Sequence, residues 1–330
     1  MAMERITELF SRRPKMPELP NFSGAAGKTI GGVTAALAVV AVLYYPIGMA
    51  MVHHINDDIA YAPTEAEVPE GASFVVAATA GLIEREVIDV SWVANDPWFM
   101  PGAALDNMPN FQQGVIAALA RFAFELTDQI GRTRGSSQTD KDLQEAAGLL
   151  QYSGTKWVFD FSTSIAPTAT SEAQYRKARR ALLSYNKRLS EGKAVFERRA
   201  DNLLATLDRM ALDLGSSSAL LDRQIGKDGG GVFDFQADDV YYGVKGQLYA
   251  YTILLRELGR DFDKIIHERE LTTAWSLMMS SFEHAASLDP LVIINGAPDG
   301  QAMPSHLASQ GFYLLRGRTQ LREITNILLK

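Results

Sequence analysis

Cysteine is absent from this chain, and with it go disulfides, thiolate metal sites and thiol nucleophiles. Histidine is scarce. His53, His54, His267, His284 and His306 share no ligand spacing, and the second histidine of a His-Glu-x-x-His zinc motif is replaced by Leu271. A concentrated basic surface is missing too: the net charge is −7 and Lys and Arg are scattered among acids, which excludes a nucleic-acid partner held by phosphate contacts. Gly27-Lys28-Thr29 ends like a phosphate loop, but the glycine required five residues earlier is Phe22. Ser153-x-x-Lys156 and Ser184-x-x-Lys187 match the loose pattern of penicillin-binding enzymes, yet no Lys-Thr-Gly completes it. Asp238 and Asp239, just after a loop, fit a helix N-terminus better than a cation site. No metal and no cofactor is called for by what remains.

Charge is also absent from Thr29 to Val52, TIGGVTAALAVVAVLYYPIGMAMV. At about 1.5 Å per residue this run reaches about 36 Å, against about 30 Å for a hydrocarbon core. It has no polar face of the kind a buried soluble helix keeps. Arg5, Arg12, Arg13, Lys15 and Lys28 precede it, and no Lys or Arg follows until Arg85, so the positive-inside rule leaves the N-terminus in the cytoplasm. Met49-Ala50-Met51-Val52 lacks a small-x-small cleavage pattern, which favours an uncleaved signal anchor. The expected organisation is a cytoplasmic tail (1–28), a transmembrane helix (29–52), a tether (53–71) rich in proline and glutamate at its end, and a periplasmic helical domain (72–330) of a single-pass inner-membrane protein.

With 47% hydrophobic and 22% charged residues the chain as a whole has the composition of a protein with a packed core. Helix is expected over 73–88, 111–132, 140–161, 236–258, 262–288 and 305–329. Between Ser171 and Leu214, Tyr175, Leu182, Leu189, Phe196, Leu203 and Met210 recur every seven residues, which predicts one long helix. Ser171 with Gln174 reads as its capping box, and Gly215 with Ser216 to Ser218 as its end. Tyr185, Gly192, Arg199 and Thr206 do not supply apolar companion positions, so a bundle suits it better than a two-stranded coiled coil. Gly226 to Gly231 breaks the chain, and Asp289 to Pro304 holds one strand candidate. The fold class expected is mainly α: one N-terminal transmembrane helix followed by an extracytoplasmic helical bundle containing one long helix.

The stretch Ser91–Asn110 is different in kind. Trp92, Trp98, Phe99 and Met100 sit there among Pro97, Pro101 and Pro109, and an ordered loop of that length is commonly functional. These four are the candidate partner-binding residues. Either they cover a gap between helices or they project as anchors.

The basic tail and signal anchor, Ile83-Glu84-Arg85-Glu86-Val87 leading to Trp92 and Asn95-Asp96-Pro97, the segment Ala237-Asp238-Asp239 to Lys245-Gly246, and Asn295-Gly296 to His306-Leu307 together resemble a family of uncharacterised bacterial envelope proteins grouped as a domain of unknown function. The resemblance implies the topology and the helical architecture. It implies no catalytic residues.

The strongest patterns are packing and contact surfaces rather than a converging acid, base and nucleophile. They point to a non-enzymatic scaffold or accessory subunit of a cell-envelope complex, with the lipid bilayer and other envelope proteins, or a second copy, as partners. One alternative is a ligand-binding module for transport or sensing, whose mark would be a deep apolar pocket lined by tryptophan. The other is a peptidoglycan-cleaving enzyme using one glutamic acid of raised pKa, for which Glu84 and Glu86 are the candidates. Arg85 and Val87 follow them where such enzymes carry serine.

Overall fold

The computed structural model describes residues 25–64, 68–131, 139–160, 166–227, 234–298 and 303–330. The basic tail at 1–24, the glycine run at 228–233 and the expected helix ends at 132 and 161 lie outside them. Ten α-helices and no strand occur among the described residues. The chain divides after Ile47 into two compact units.

The first unit holds most of α1 (Ala25–Val52). From Lys28 to Val52 its mean hydropathy is 2.1 and none of its most apolar stretch is buried, so it is long and apolar enough to cross a membrane. Pro46 lies inside the helix, where it removes one backbone hydrogen bond.

The second unit is a helical bundle: α2 (Phe74–Glu84), α3 (Asn107–Glu125), α4 (Lys141–Leu150), α5 (Ser171–Ser190), α6 (Ala200–Ile225), α7 (Phe235–Asp261), α8 (Asp263–Glu268), α9 (Thr272–Ala286) and α10 (His306–Leu328). Side-chain oxygens of Ser73, Asp140, Thr170, Asp234 and Ser305 cap helix N-termini by accepting first-turn N–H groups. Each of α2 and α3 ends in a π-turn, Arg85–Asp89 and Leu126–Ile130.

Helix α7 is the centre. It is buried on nearly all sides, by α3, α2, α9 and α6. It runs in the same direction as α3: Asn110 meets Asp239, Gly114 meets Gly243 and Gln247, and Phe122 lies beside Tyr251. The two backbones touch. A Cβ on Gly246 would fall 2.0 Å from the Phe111 carbonyl oxygen, and one on Gly114 would fall 2.1 Å from that of Gly243. Helices α6 and α10 pair alongside, with the Arg318 guanidinium laid over Gly215.

Several expectations change. The long helix over 171–214 is two helices, because Gly192 takes a left-handed φ of 70° and the chain turns there, its N–H bonding back to Leu189 O at 3.0 Å. The six residues of the seven-residue stripe are nevertheless all buried. Thr170, not Ser171, is the N-cap of α5, and Gly215–Ser218 continue α6 rather than end it. Helix α3 starts four residues before Phe111, with Pro109 in the first turn, where its missing N–H costs nothing. Helix α4 stops at Leu150, and a positive φ at Glu270 splits the expected 262–288 helix. The strand candidate in 289–304 forms only an isolated bridge, Asn295 to Ser305.

Residues 53–64 lie on the bundle rather than apart from it. Asp57 pairs with Lys245 at 2.6 Å, Asp58 O accepts from Tyr249 Oη at 2.9 Å, and Ile59 O and Tyr61 O accept from Arg256. They form a strap along α7. At the far end of that helix Asp261 accepts from the backbone N–H groups of Phe74 and Val75 and from the Ser73 hydroxyl.

Candidate functional site

Residues 91–106 join the π-turn after α2 to α3. Ser91 holds a φ of 77°, a left-handed conformation uncommon outside glycine, and Gln112 of α3 stabilises it. The buried Gln112 amide donates to Glu86 O at 3.1 Å and Ser91 O at 2.9 Å, and its oxygen accepts from Val93 N at 3.1 Å. The loop is therefore fixed at its start. Asn95 fixes its middle by donating to Lys156 O and to Glu172 Oε2, each at 2.8 Å. Asp96 is pushed up to about 6 by burial, with Glu172 adding to the shift.

The four candidate residues part company at this point. Trp92 is only 3% exposed, donates its indole N–H to Gly154 O at 2.8 Å and packs edge-on to Tyr175, so it belongs to the core. Trp98, Phe99 and Met100 stand outside, at 81%, 44% and 36% exposure. Phe99 bridges Trp98 and Trp157 in edge-to-face contacts at 5.7 and 5.6 Å, and Trp157 meets Phe159 at 5.7 Å. Four rings thus form one ledge. Trp157 and Phe159 lie beyond the end of α4 at Leu150, within the span where one helix over 140–161 is expected, and a helix there would put residues two apart on different faces.

Two clefts in the bundle are lined by ionisable groups. One, of about 790 Å³, is lined by His53, His54, Tyr61, Glu84, Arg85 and Asp89. Of the two sequence-derived glutamic acid candidates, Glu84 is at its wall and Glu86 is buried behind Arg85; both are ion-paired, Glu84 to Arg179 and Glu86 to Arg85 at 2.7 Å. Burial raises the Glu86 pKa while Arg85 opposes it, and the Arg85 guanidinium also lies over the Tyr249 ring at 4.7 Å. The other cleft, of about 270 Å³, is lined by Arg121, Glu125, Arg209, Asp213 and Tyr251 among others. Arg209 lies 3.7 Å from Glu125, and Arg121 lies 3.6 Å from Asp213. Asp213 also accepts from Tyr251 at 2.7 Å and Gln247 at 2.5 Å, and burial raises the Glu125 pKa. Tryptophan lines neither cleft.

At the adjoining N-termini of α3 and α7, Asp106, Asp238 and Asp239 gather, and burial together with Asp106 pushes Asp238 up to about 6. Among the described residues no three His, Asp or Glu side chains are arranged to hold a metal ion. The Ser-x-x-Lys pairs do not form: Lys156 pairs with Asp160, and Ser184 donates to Asp142.

An apolar helix long enough to span a membrane, continuous with an all-helical bundle that carries an aromatic ledge, defines the class. The chain belongs to the family described as uncharacterized protein conserved in bacteria (DUF2333), which it matches over residues 31–230, more than half its length. The segments Ala237–Gly246 and Asn295–Leu307, part of the resemblance in sequence, lie beyond that match. No curated protein and no solved structure matches the chain.

Proposed function

We propose that this chain is a membrane-anchored, non-enzymatic scaffold or accessory subunit of a bacterial cell-envelope complex, with its N-terminus in the cytoplasm and its bundle in the periplasm. The observation that carries this is the ledge. Large apolar side chains point outward from a loop that Gln112 and Asn95 hold rigid, so contact there loses little conformational entropy. The engagement of Glu84 and Glu86 in ion pairs supports a non-enzymatic role over glycan cleavage.

A photo-reactive residue at Phe99 in living cells tests the contact role. Adducts to lipid or to an envelope chain are expected; their absence, while a probe at Val40 in α1 forms adducts, would remove the contact role. Topology is tested in spheroplasts with an impermeant thiol reagent, taking Lys264, whose side chain is 87% exposed, and Ser11 as single-cysteine sites. Labelling at Lys264→Cys and none at Ser11→Cys is expected, and the opposite pattern would reverse the orientation. The Arg121–Glu125–Arg209–Asp213 cleft favours, as a second reading, binding of a small charged ligand.

A further inference from the structure

Where the ledge lies relative to the end of α1 identifies what it touches. The last turn of α1, from Gly48, belongs to the same unit as the bundle. From there the strap meets Lys245 through Asp57, Tyr249 through Asp58 and Arg256 through Ile59 and Tyr61, so its partners advance toward the C-terminal end of α7. The chain therefore leaves α1 near the N-terminal half of α7. The ledge is at that end as well. A Cβ on Gly48 would fall 2.3 Å from Pro101 Cγ, and Pro101 directly follows Met100. Helix α3, which begins just after the ledge, starts beside the start of α7, Asn110 donating to Asp239 at 2.7 Å.

We propose that Trp98, Phe99 and Met100 seat in the headgroup zone of the bilayer that α1 crosses, so that the bundle is held at the membrane at two points; this rests on reading α1 as a membrane span. Tryptophan suits that zone because its ring is large and apolar while its edge is polar. Edge-to-face contact with Trp157 orders Phe99 beforehand, and Trp98 rests against Phe99 in turn, so little freedom remains to be lost on seating. Two attachments on a bundle fix its orientation, where a single helix would leave it free to swing.

The absence of native cysteine makes the test direct. Met100→Cys, Val40→Cys and Lys264→Cys are spin-labelled in the full chain and reconstituted into phosphatidylethanolamine and phosphatidylglycerol vesicles. Accessibility to oxygen, which concentrates in lipid, is then compared with accessibility to a water-soluble nickel complex. The oxygen-to-nickel ratio at Met100 is expected several-fold above that at Lys264, at the far end of α7, and below that at Val40. Adding Trp98→Ala with Phe99→Ala should bring the Met100 ratio down toward the aqueous value. An aqueous ratio at Met100 with a deep one at Val40 would overturn the seating and leave the span intact; an aqueous ratio at Val40 would overturn the span itself. A Met100 label shielded from both reagents would place a protein surface on the ledge and overturn the seating as well.

Discussion

The contact between α3 and α7 makes a prediction whose sign depends on tertiary structure alone. Replacing Gly246 by alanine adds a methyl 2.0 Å from the Phe111 carbonyl oxygen, whereas carbon and oxygen in ordinary contact stay about 3.3 Å apart. The obstacle is backbone on a packed helix, so α3 and α7 must move apart by about 1 Å. A gap of that size forfeits a quarter to a half of the dispersion energy across it. Phe111, Val115 and Phe122 of α3 are buried in that core, so the strain falls at the upper end of overpacking, about 3 kcal/mol. Alanine returns about 1 kcal/mol through helix propensity, leaving a net loss of about 2 kcal/mol and a Tm lower by about 4–8 °C. Gly148 in α4 is the control, since nothing lies within 4 Å of its Cβ position. Gly148→Ala should raise the Tm by about 2–4 °C from the same propensity gain. Thermal unfolding of both full-length variants in one detergent decides. A Gly246→Ala protein as stable as Gly148→Ala would refute direct backbone contact between α3 and α7.

Other substitutions test the remaining structure. Leu182→Asp puts a carboxylate at a fully buried stripe position and should cost about 3–5 kcal/mol, while Glu197→Lys should change stability by no more than about 0.5 kcal/mol in the same urea titration. Asp238, at about 6 in the folded chain against about 3.9 unfolded, contributes stability that is complete below pH ~3.9 and lost as pH rises through about 6. Asp238→Asn should therefore stabilise at pH 7.5 and be neutral near pH 4; a gain larger at pH 4 would contradict the burial. A chain ending at residue 230, where the family match stops, lacks α7 and should show no cooperative thermal transition in its bundle, as followed by near-ultraviolet circular dichroism. Trp98→Ala with Phe99→Ala should shift the Tm far less than Trp92→Ala, because only Trp92 is enclosed.

A charge-free run from Thr29 to Val52 was enough to identify a helix that can cross a membrane, because backbone polar groups in hydrocarbon must be satisfied within the segment itself. Seven-residue spacing was enough to name the buried stripe from Tyr175 to Met210. The turn at Gly192 was not legible, since periodicity reports which residues share a side and says nothing of whether the backbone continues; both helices face one core, so the spacing survives the break. Nor does composition separate Trp92 from Trp98. Both sit among prolines and polar residues, and what draws one inward is a carbonyl at Gly154, 62 positions away, that takes its N–H. The strap is similar: AYAPTEAEVPEG reads as a tether by its prolines and acids, but Arg256, Tyr249 and Lys245 on one face of α7 collect the backbone and side chains just before it. Sequence alone determined which residues avoid water and where helices can form, because those follow from local chemistry and spacing. Which aromatics stay outside, and which end of the bundle they share with the end of α1, only the tertiary structure decided, because each depends on a partner distant in the chain.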